Sequence, residues 1–167
     1  MVTQPGLHDK DLVLWTQLLA ESLNASMLAA LRERGHPELR YSHGFLFQQL
    51  VEGARPVGEI ASNLGVTSQA VSKAVRDLEA LGYVSRDADP ADARVRRVAL
   101  TARGQDAVAA GREIRASLNA RFAEALGAER VEAAAATLAD AMRESGALDA
   151  VRGRRVAPAQ GLGGEGR

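Results

Sequence analysis

Residues 66–84, VTSQAVSKAVRDLEALGYV, carry polar side chains at a spacing that suits hydrogen bonding to another molecule. The apolar residues of this stretch recur every three to four positions, which is typical of an amphipathic helix. The opposite stripe holds hydroxyls, one amide and two cations: Ser68, Gln69, Ser72, Lys73 and Arg76. Solubility alone does not require these residue types, because Glu and Lys would solubilise a helix equally well. Hydroxyl, amide and cationic groups can in addition bind anions and hydrogen-bonding groups of another molecule. The alternative is an ordinary solvated face.

The elements before this stretch predict a helix-turn-helix. PVGEIASNLG predicts a short helix with Ile60, Ala61 and Leu64 facing inward. Gly65 permits the left-handed turn that ends a helix. Thr67 or Ser68 then caps the next helix. Two helices joined by so short a turn form a helix-turn-helix.

The residues after Gly82 predict a β-hairpin. YVSR is typical of a strand, DADPADA of a turn, and VRRVAL of a returning strand. Thr101 is placed to cap the helix that follows. A hairpin directly after the second helix of a helix-turn-helix is a wing.

Longer amphipathic helices flank this lobe. The first carries Leu12, Trp15, Leu19, Leu23, Met27 and Leu31 and ends at Gly35 and Pro37. Others are predicted over 41–52, 102–125 and 129–145. The predicted fold is therefore mainly α with a small β-hairpin wing. It divides into N-terminal helices (1–55), a winged helix-turn-helix lobe (56–101), C-terminal helices (102–150) and a Gly-rich, disordered tail (151–167).

Composition and charge exclude several classes of protein. The chain has no cysteine, which excludes disulfides and thiolate metal sites, and only 4% aromatic residues, which argues against a large aromatic-lined enzyme cavity. It has no Gly-rich phosphate loop and no Ser/His/Asp cluster, so we predict no enzyme and no cofactor. It also lacks a membrane-spanning run and a secretory signal, which predicts a cytoplasmic location.

The chain resembles the MarR family of winged helix-turn-helix transcription regulators over about residues 10–145, most densely over 57–104. The segment LEALGYVSR and the spaced residues Asp92, Arg94, Leu100 and Thr101 resemble the family's wing signature. The resemblance implies a homodimer that binds a palindromic operator in double-stranded DNA. It also implies repression of nearby genes and release by a small, frequently aromatic effector. Arg97 departs from the family pattern, which often has an apolar residue there, and makes the wing more cationic.

A helix in the major groove needs side chains that reach base edges. We expect Gln69 to bind adenine, Lys73 to bind guanine, and Arg76 to bind guanine or a phosphate. Short hydroxyl groups suit phosphates, which position a helix without specifying sequence; they belong to Thr67, Ser68 and Ser72.

Arg94 and Arg96 lie at or near the predicted wing tip, where a cationic loop can enter the minor groove. Asp92 is expected to orient Arg94 by an ion pair, because a carboxylate would repel phosphate. The alternative is an exposed hairpin with incidental arginines.

The resemblance also implies a ligand pocket between the dimer helices and the lobe, where Trp15, His43 and Phe47 would form part of the lining. A packed core is the alternative for each of them. His36, His43 and Glu38 have no repeated ligand spacing, so no metal site is predicted.

The terminal helices are expected to form the dimer, because their apolar stripes would leave a large exposed patch on a monomer. The stripe residues near the C-terminus are Leu118, Phe122, Leu126, Val131, Leu138 and Met142. Cations and anions balance within 57–101, so DNA binding requires the cations to converge on one surface. A winged-helix module that binds a protein instead of DNA is the alternative function.

Overall fold

Six helices and three short strands follow one another in the residues that the computed structural model describes, 11–89 and 96–147. The helices are α1 (Leu12–Glu33), α2 (Tyr41–Leu50), α3 (Val57–Leu64), α4 (Ser68–Ala80), α5 (Ala102–Leu126) and α6 (Ala128–Glu144). The strands are β1 (Arg55–Pro56), β2 (Val84–Ala88) and β3 (Arg96–Leu100). The predicted fold, mainly α with a β-hairpin wing, is confirmed. The predicted tail, 151–167, lies outside the described residues.

The turn between α3 and α4 forms as the sequence predicts. Gly65 ends α3 in the left-handed conformation, with a φ of 64°. Thr67 caps α4, and its side-chain oxygen accepts a hydrogen bond from the backbone N–H of Ala70 at 3.1 Å. These two residues fix the angle at which α4 leaves α3.

The sheet contains one strand that the sequence analysis missed. β1 pairs antiparallel with β3, which gives the strand order β1-β3-β2. A strand of two residues, Arg55 and Pro56, is too short to show an alternating pattern. Arg97 explains why this strand is held: its guanidinium donates to the carbonyl of Ala54 at 2.5 Å and forms an ion pair with Asp89 at 2.8 Å. Arg97 therefore stabilises the base of the sheet. The sequence alone indicates Arg97 only as an additional positive charge of the wing.

One hydrophobic core joins the lobe to the helices on either side of it. The fully buried members include Leu46 from α2, Ile60 from α3, Val71 and Leu78 from α4, and Val98 from β3. The first half of α5 closes the core with Ala107, Ala110 and Ile114. The segments predicted as 1–55, 56–101 and 102–150 thus share one core, and their functional division remains a proposal.

A buried polar cluster around Tyr83 ties the wing to the flanking helices. The Tyr83 hydroxyl donates to Glu38 at 3.2 Å and lies 3.3 Å from Nδ1 of His36. Arg103 of α5 lies over the Tyr83 ring, 4.3 Å from its centroid. Nε2 of His36 lies 3.2 Å from the Asp106 carboxylate. Burial raises the pKa of Tyr83, which keeps the hydroxyl protonated as a donor.

Helix α5 packs against the backbone of Tyr83 more closely than a side chain would allow. The carbonyl of Tyr83 accepts a hydrogen bond from the backbone N–H of Thr101 at 3.1 Å. A Cβ atom at Gly104 would lie 2.1 Å from the same carbonyl oxygen. Glycine is therefore required at this position for α5 to dock on the turn before β2.

We expect Gly104→Ala to lower the free energy of unfolding by about 1–3 kcal/mol, because the added methyl must push α5 away from Tyr83. Urea unfolding followed by circular dichroism measures the change. Gly111→Ala on the same helix is the control, since its Cβ would meet its nearest neighbour, Arg115, at 3.8 Å. Alanine favours helix over glycine by about 1 kcal/mol, so the control should be neutral or stabilising. Equal stability of Gly104→Ala and the unchanged chain would contradict the close approach.

Candidate nucleic-acid interface

Helix α4 presents the polar stripe of the sequence to solvent. Ser68, Gln69, Lys73 and Arg76 are exposed and Ser72 is half-buried, while Val71, Ala74, Val75 and Leu78 are buried behind them. Gln69, Lys73 and Arg76 follow one another at steps of four and three residues, so they form one row along the helix. Within 11–89 and 96–147, no ion pair involves Lys73 or Arg76. The row therefore offers one amide and two cations to an external partner.

The exposed Thr67 stands at the N-terminal end of this row. Its oxygen already accepts the capping hydrogen bond, which leaves the hydroxyl proton free to donate. A phosphate bound by this hydroxyl would lie beside the first-turn N–H groups of α4, which favour anions. Thr67 and Ser68 are both exposed at this end of α4, and their phosphate contacts stay a prediction.

Three carboxylates of the lobe are engaged by arginines that lie off this row. Glu59 pairs with Arg55, Glu79 with Arg86 at 3.4 Å, and Asp89 with Arg97. These three anions are neutralised locally, while Asp77 and Asp87 are exposed and form no ion pair within 11–89 and 96–147. Lys73 and Arg76 keep their charge for a partner.

The wing stands beside α4 through its first strand. Arg86 of β2 donates to the carbonyl of Ser72 at 3.1 Å, which joins β2 to the middle of α4. Arg96 is the exposed first residue of β3 and pairs in register with Ala88. Asp92 and Arg94 lie outside the described residues, so the predicted ion pair between them stays a prediction. Arg86 is the functional candidate that the sequence analysis missed, although it lies within LEALGYVSR.

A cavity of about 360 Å³ opens between α1, α2 and α5. Its apolar wall includes Met27, Leu28, Phe45, Phe47 and Val108, and its polar side includes Arg40, His43, Gln48 and Arg115. His43 and Phe47 thus line one cavity, and their contact with a ligand stays a prediction. Trp15 does not line this cavity: it lies near the start of α1 and is 41% exposed. This cavity contacts α1 only further along, from Asn24 onward, so a place for Trp15 in a ligand pocket stays a prediction.

His43 has a structural partner at the start of α2. It occupies the third position of α2, and its Nδ1 accepts a hydrogen bond from the backbone N–H of Arg40 at 3.2 Å. Burial, together with the charge of Arg40, lowers the pKa of His43, so the folded state favours the neutral ring. His36 and Glu38 instead bind Tyr83 and residues of α5. Across 11–89 and 96–147, no three His, Asp or Glu residues are grouped as a metal site would require.

No helix of the described chain is both long and apolar enough to cross a membrane. The features above define a class of protein. It is a winged helix-turn-helix protein in which α4, the second helix of the helix-turn-helix, exposes a row of polar and cationic side chains suited to nucleic acid.

Comparisons with known proteins narrow this class. The model of the MarR family matches residues 46–95. No match was found among curated protein sequences. Among solved structures, YusO from Bacillus subtilis is 25% identical, with a TM-score of 0.64, over 78% of this chain and 91% of that one. RV1404 from Mycobacterium tuberculosis is also 25% identical, with a TM-score of 0.69, over 80% and 88%. Streptococcus pneumoniae FabT, solved in complex with DNA, shares the fold at 15% identity, with a TM-score of 0.69, over 81% and 95%.

The predicted resemblance to the MarR family is therefore confirmed, since the family's model matches residues 46–95 and the chain shares the winged-helix fold of the structures above. The similarity is to a family of transcription regulators, which agrees with the prediction of a non-enzymatic protein.

The lowered pKa of His43 predicts that the protein loses stability as the pH falls from about 7.5 to 5.5. The unfolded chain takes up a proton near the ordinary histidine pKa, while the folded chain resists it until a lower pH. The unfolded state therefore binds more protons in this window, and stability rises with pH across it. Thermal unfolding at both pH values measures the change.

His43→Gln is the matched variant, because glutamine at the third helical position can still accept from the capping N–H and does not titrate. The variant should show a smaller fall in melting temperature between the two pH values than the unchanged chain. An identical fall in both proteins would exclude His43 as the cause.

Proposed function

We propose that this protein is a homodimeric, sequence-specific DNA-binding transcription regulator, a cytoplasmic repressor released by a small-molecule effector. The observation that carries the proposal is the exposed row Gln69, Lys73 and Arg76 on a helix that stands beside a wing. An amide and two cations at this spacing match base edges and phosphates in a major groove. The DNA bound to FabT in its solved complex supports the same partner here.

The proposed roles differ along the interface. Gln69 would read adenine, Lys73 guanine, and Arg76 guanine or a phosphate. Thr67, Ser68 and Ser72 would hold the helix on phosphates, and Arg96, with Arg94, would reach the minor groove. Because phosphate contacts release counterions, affinity should fall steeply with salt.

The terminal helices support a homodimer. The first half of α1 exposes Leu12, Val13, Leu14, Trp15, Leu18 and Leu19, and α6 has no buried residue. Leu126 at the end of α5 is 49% exposed, and Leu138 of α6 is 36% exposed. Large apolar patches of this kind are rare on soluble monomers. A second copy that interdigitates these helices would cover them and place two lobes for a palindromic operator.

The cavity between α1, α2 and α5 is the proposed effector site. An apolar wall with Phe45 and Phe47 suits a small aromatic body, and Arg40 and Arg115 at the polar side favour an anionic group on it. The cavity shares Phe47 with the packing around Tyr83, whose ring centroid is 5.9 Å away. An occupant would therefore press on the residues that carry the wing.

Fluorescence anisotropy of the intact protein on the intergenic DNA beside its own gene tests the function. Titrations at several salt concentrations, with scrambled DNA as control, separate specific from non-specific binding. Tight, sequence-dependent binding at two subunits per site supports the proposal. If both DNAs bind weakly and equally, selection from random DNA decides between a distant operator and a protein-binding module.

Lys73→Ala and Arg76→Ala should each raise the Kd for the operator about tenfold or more, because a lost base contact costs about 1–3 kcal/mol. Sedimentation should show the same dimer as for the unchanged chain. Arg32→Ala, an exposed cation in the last turn of α1, is the control and should bind as before. Unchanged binding by both α4 variants would contradict the assigned interface.

Leu126→Glu should convert the dimer to a monomer, because a buried, unpaired carboxylate is costly to desolvate. Sedimentation velocity measures the mass, and operator affinity should fall with it. Gln105→Glu places the same charge on an exposed site of the same helix and should remain dimeric. A dimeric Leu126→Glu would place the interface elsewhere.

A further inference from the structure

We infer that Arg86, in the first wing strand, is a positioning residue that locks the recognition helix α4 to the wing and thereby sets sequence discrimination. The inference rests on the proposed DNA-binding function. It adds a residue that lies off the exposed row of α4 and acts through the residues of that row.

Arg86 binds α4 at two points. Its Nη2 donates to the backbone carbonyl of Ser72 at 3.1 Å, and its Nε lies 3.4 Å from Oε2 of Glu79. Its side chain is only 24% exposed, so solvent competes weakly for these contacts. The guanidinium therefore faces the flank of the helix rather than open solvent.

The two acceptors come together because of helix geometry. Backbone carbonyls point toward the C-terminus of a helix, while side chains lean toward its N-terminus. The carbonyl of Ser72 and the carboxylate of Glu79, about two turns apart along the chain, therefore meet at one level of the flank. Because Arg86 contacts both groups, it fixes the rotation of α4 about its axis and the position of α4 along that axis relative to β2.

Arginine suits this role and lysine does not. The planar guanidinium offers several donors in a rigid fork, whereas the ammonium group of lysine is a single point charge. The backbone of Arg86 is itself fixed, because β2 pairs with β3 in register and the residue opposite, Val98, is fully buried. Arg86 thus holds α4 in a fixed position relative to the sheet.

The exposed row depends on that position. Ser72 is adjacent in sequence to Lys73, and Arg76 lies one turn further along the same helix. A small rotation of α4 would move every base-reading side chain relative to the wing. Phosphate contacts tolerate such a shift better than base-edge contacts, which need defined geometry. Loss of Arg86 should therefore reduce specific binding far more than non-specific binding.

The experiment compares Arg86→Lys, Arg86→Met and Glu79→Gln with the unchanged protein, in full-length form, on the selected operator duplex and on scrambled DNA. Arg86→Lys and Arg86→Met should each weaken operator binding about tenfold, because both lose a charge-assisted hydrogen bond. Binding to scrambled DNA and the slope of log K against log salt should stay unchanged. Glu79→Gln, at an exposed site that folding tolerates, should weaken operator binding to a smaller degree.

Arg96→Met is the control for a direct contact, and loss of one phosphate contact should reduce the salt slope by about 0.9. A reduced slope for Arg86→Met, with normal binding by Arg86→Lys, would overturn the inference and make Arg86 a phosphate ligand. Unchanged discrimination in both Arg86 variants, or loss of thermal stability alone, would also overturn it. If the unchanged protein itself fails to discriminate the operator, the proposed function fails and this inference with it.

Discussion

The burial of the apolar stripe of α4 is the interaction on which the other parts of this structure depend. Val71, Val75 and Leu78 are fully buried in the common core, where α4 packs against α3 and β2. Burying each such side chain contributes about 1.5–3 kcal/mol, so the helix has one strongly preferred face. The polar row is exposed because the other stripe is buried. The angle of α4, the sheet behind it and the docking of α5 all follow from that core.

Tyr83 connects this core to the rest of the chain. Its carbonyl receives the backbone of Thr101, and its hydroxyl reaches Glu38 in the loop between α1 and α2. Its ring contacts Phe47 of the cavity wall and the guanidinium of Arg103. The wing, the cavity and α5 are therefore joined by one packed residue. A change at the cavity would reach the lobe through this contact, with no need for a flexible linker.

Folding decides which charged side chains of the lobe are paired with one another and which can act on a partner. The formal net charge of the chain is zero, and the lobe is equally balanced. Folding pairs Glu59, Glu79 and Asp89 with arginines away from the exposed row. Paired charges attract distant anions little, whereas unpaired cations keep their field. Lys73 and Arg76 can therefore act on a partner although the chain as a whole is neutral.

Local sequence determined the helices, the turn and the polar row, because periodicity, caps and glycines act over a few residues. Gly65 and Thr67 predicted the helix-turn-helix, and Thr101 predicted the start of α5. No local pattern indicated the pairing of β1 with β3, the hydrogen bond of Arg97 to Ala54 or the contacts of Arg86 with α4. Each of them joins residues that are separated in sequence. Nor does a local pattern indicate that the cavity contacts α1 only from Asn24 onward. Tertiary packing alone decided these features, since long side chains choose partners only after the backbone has brought distant segments together.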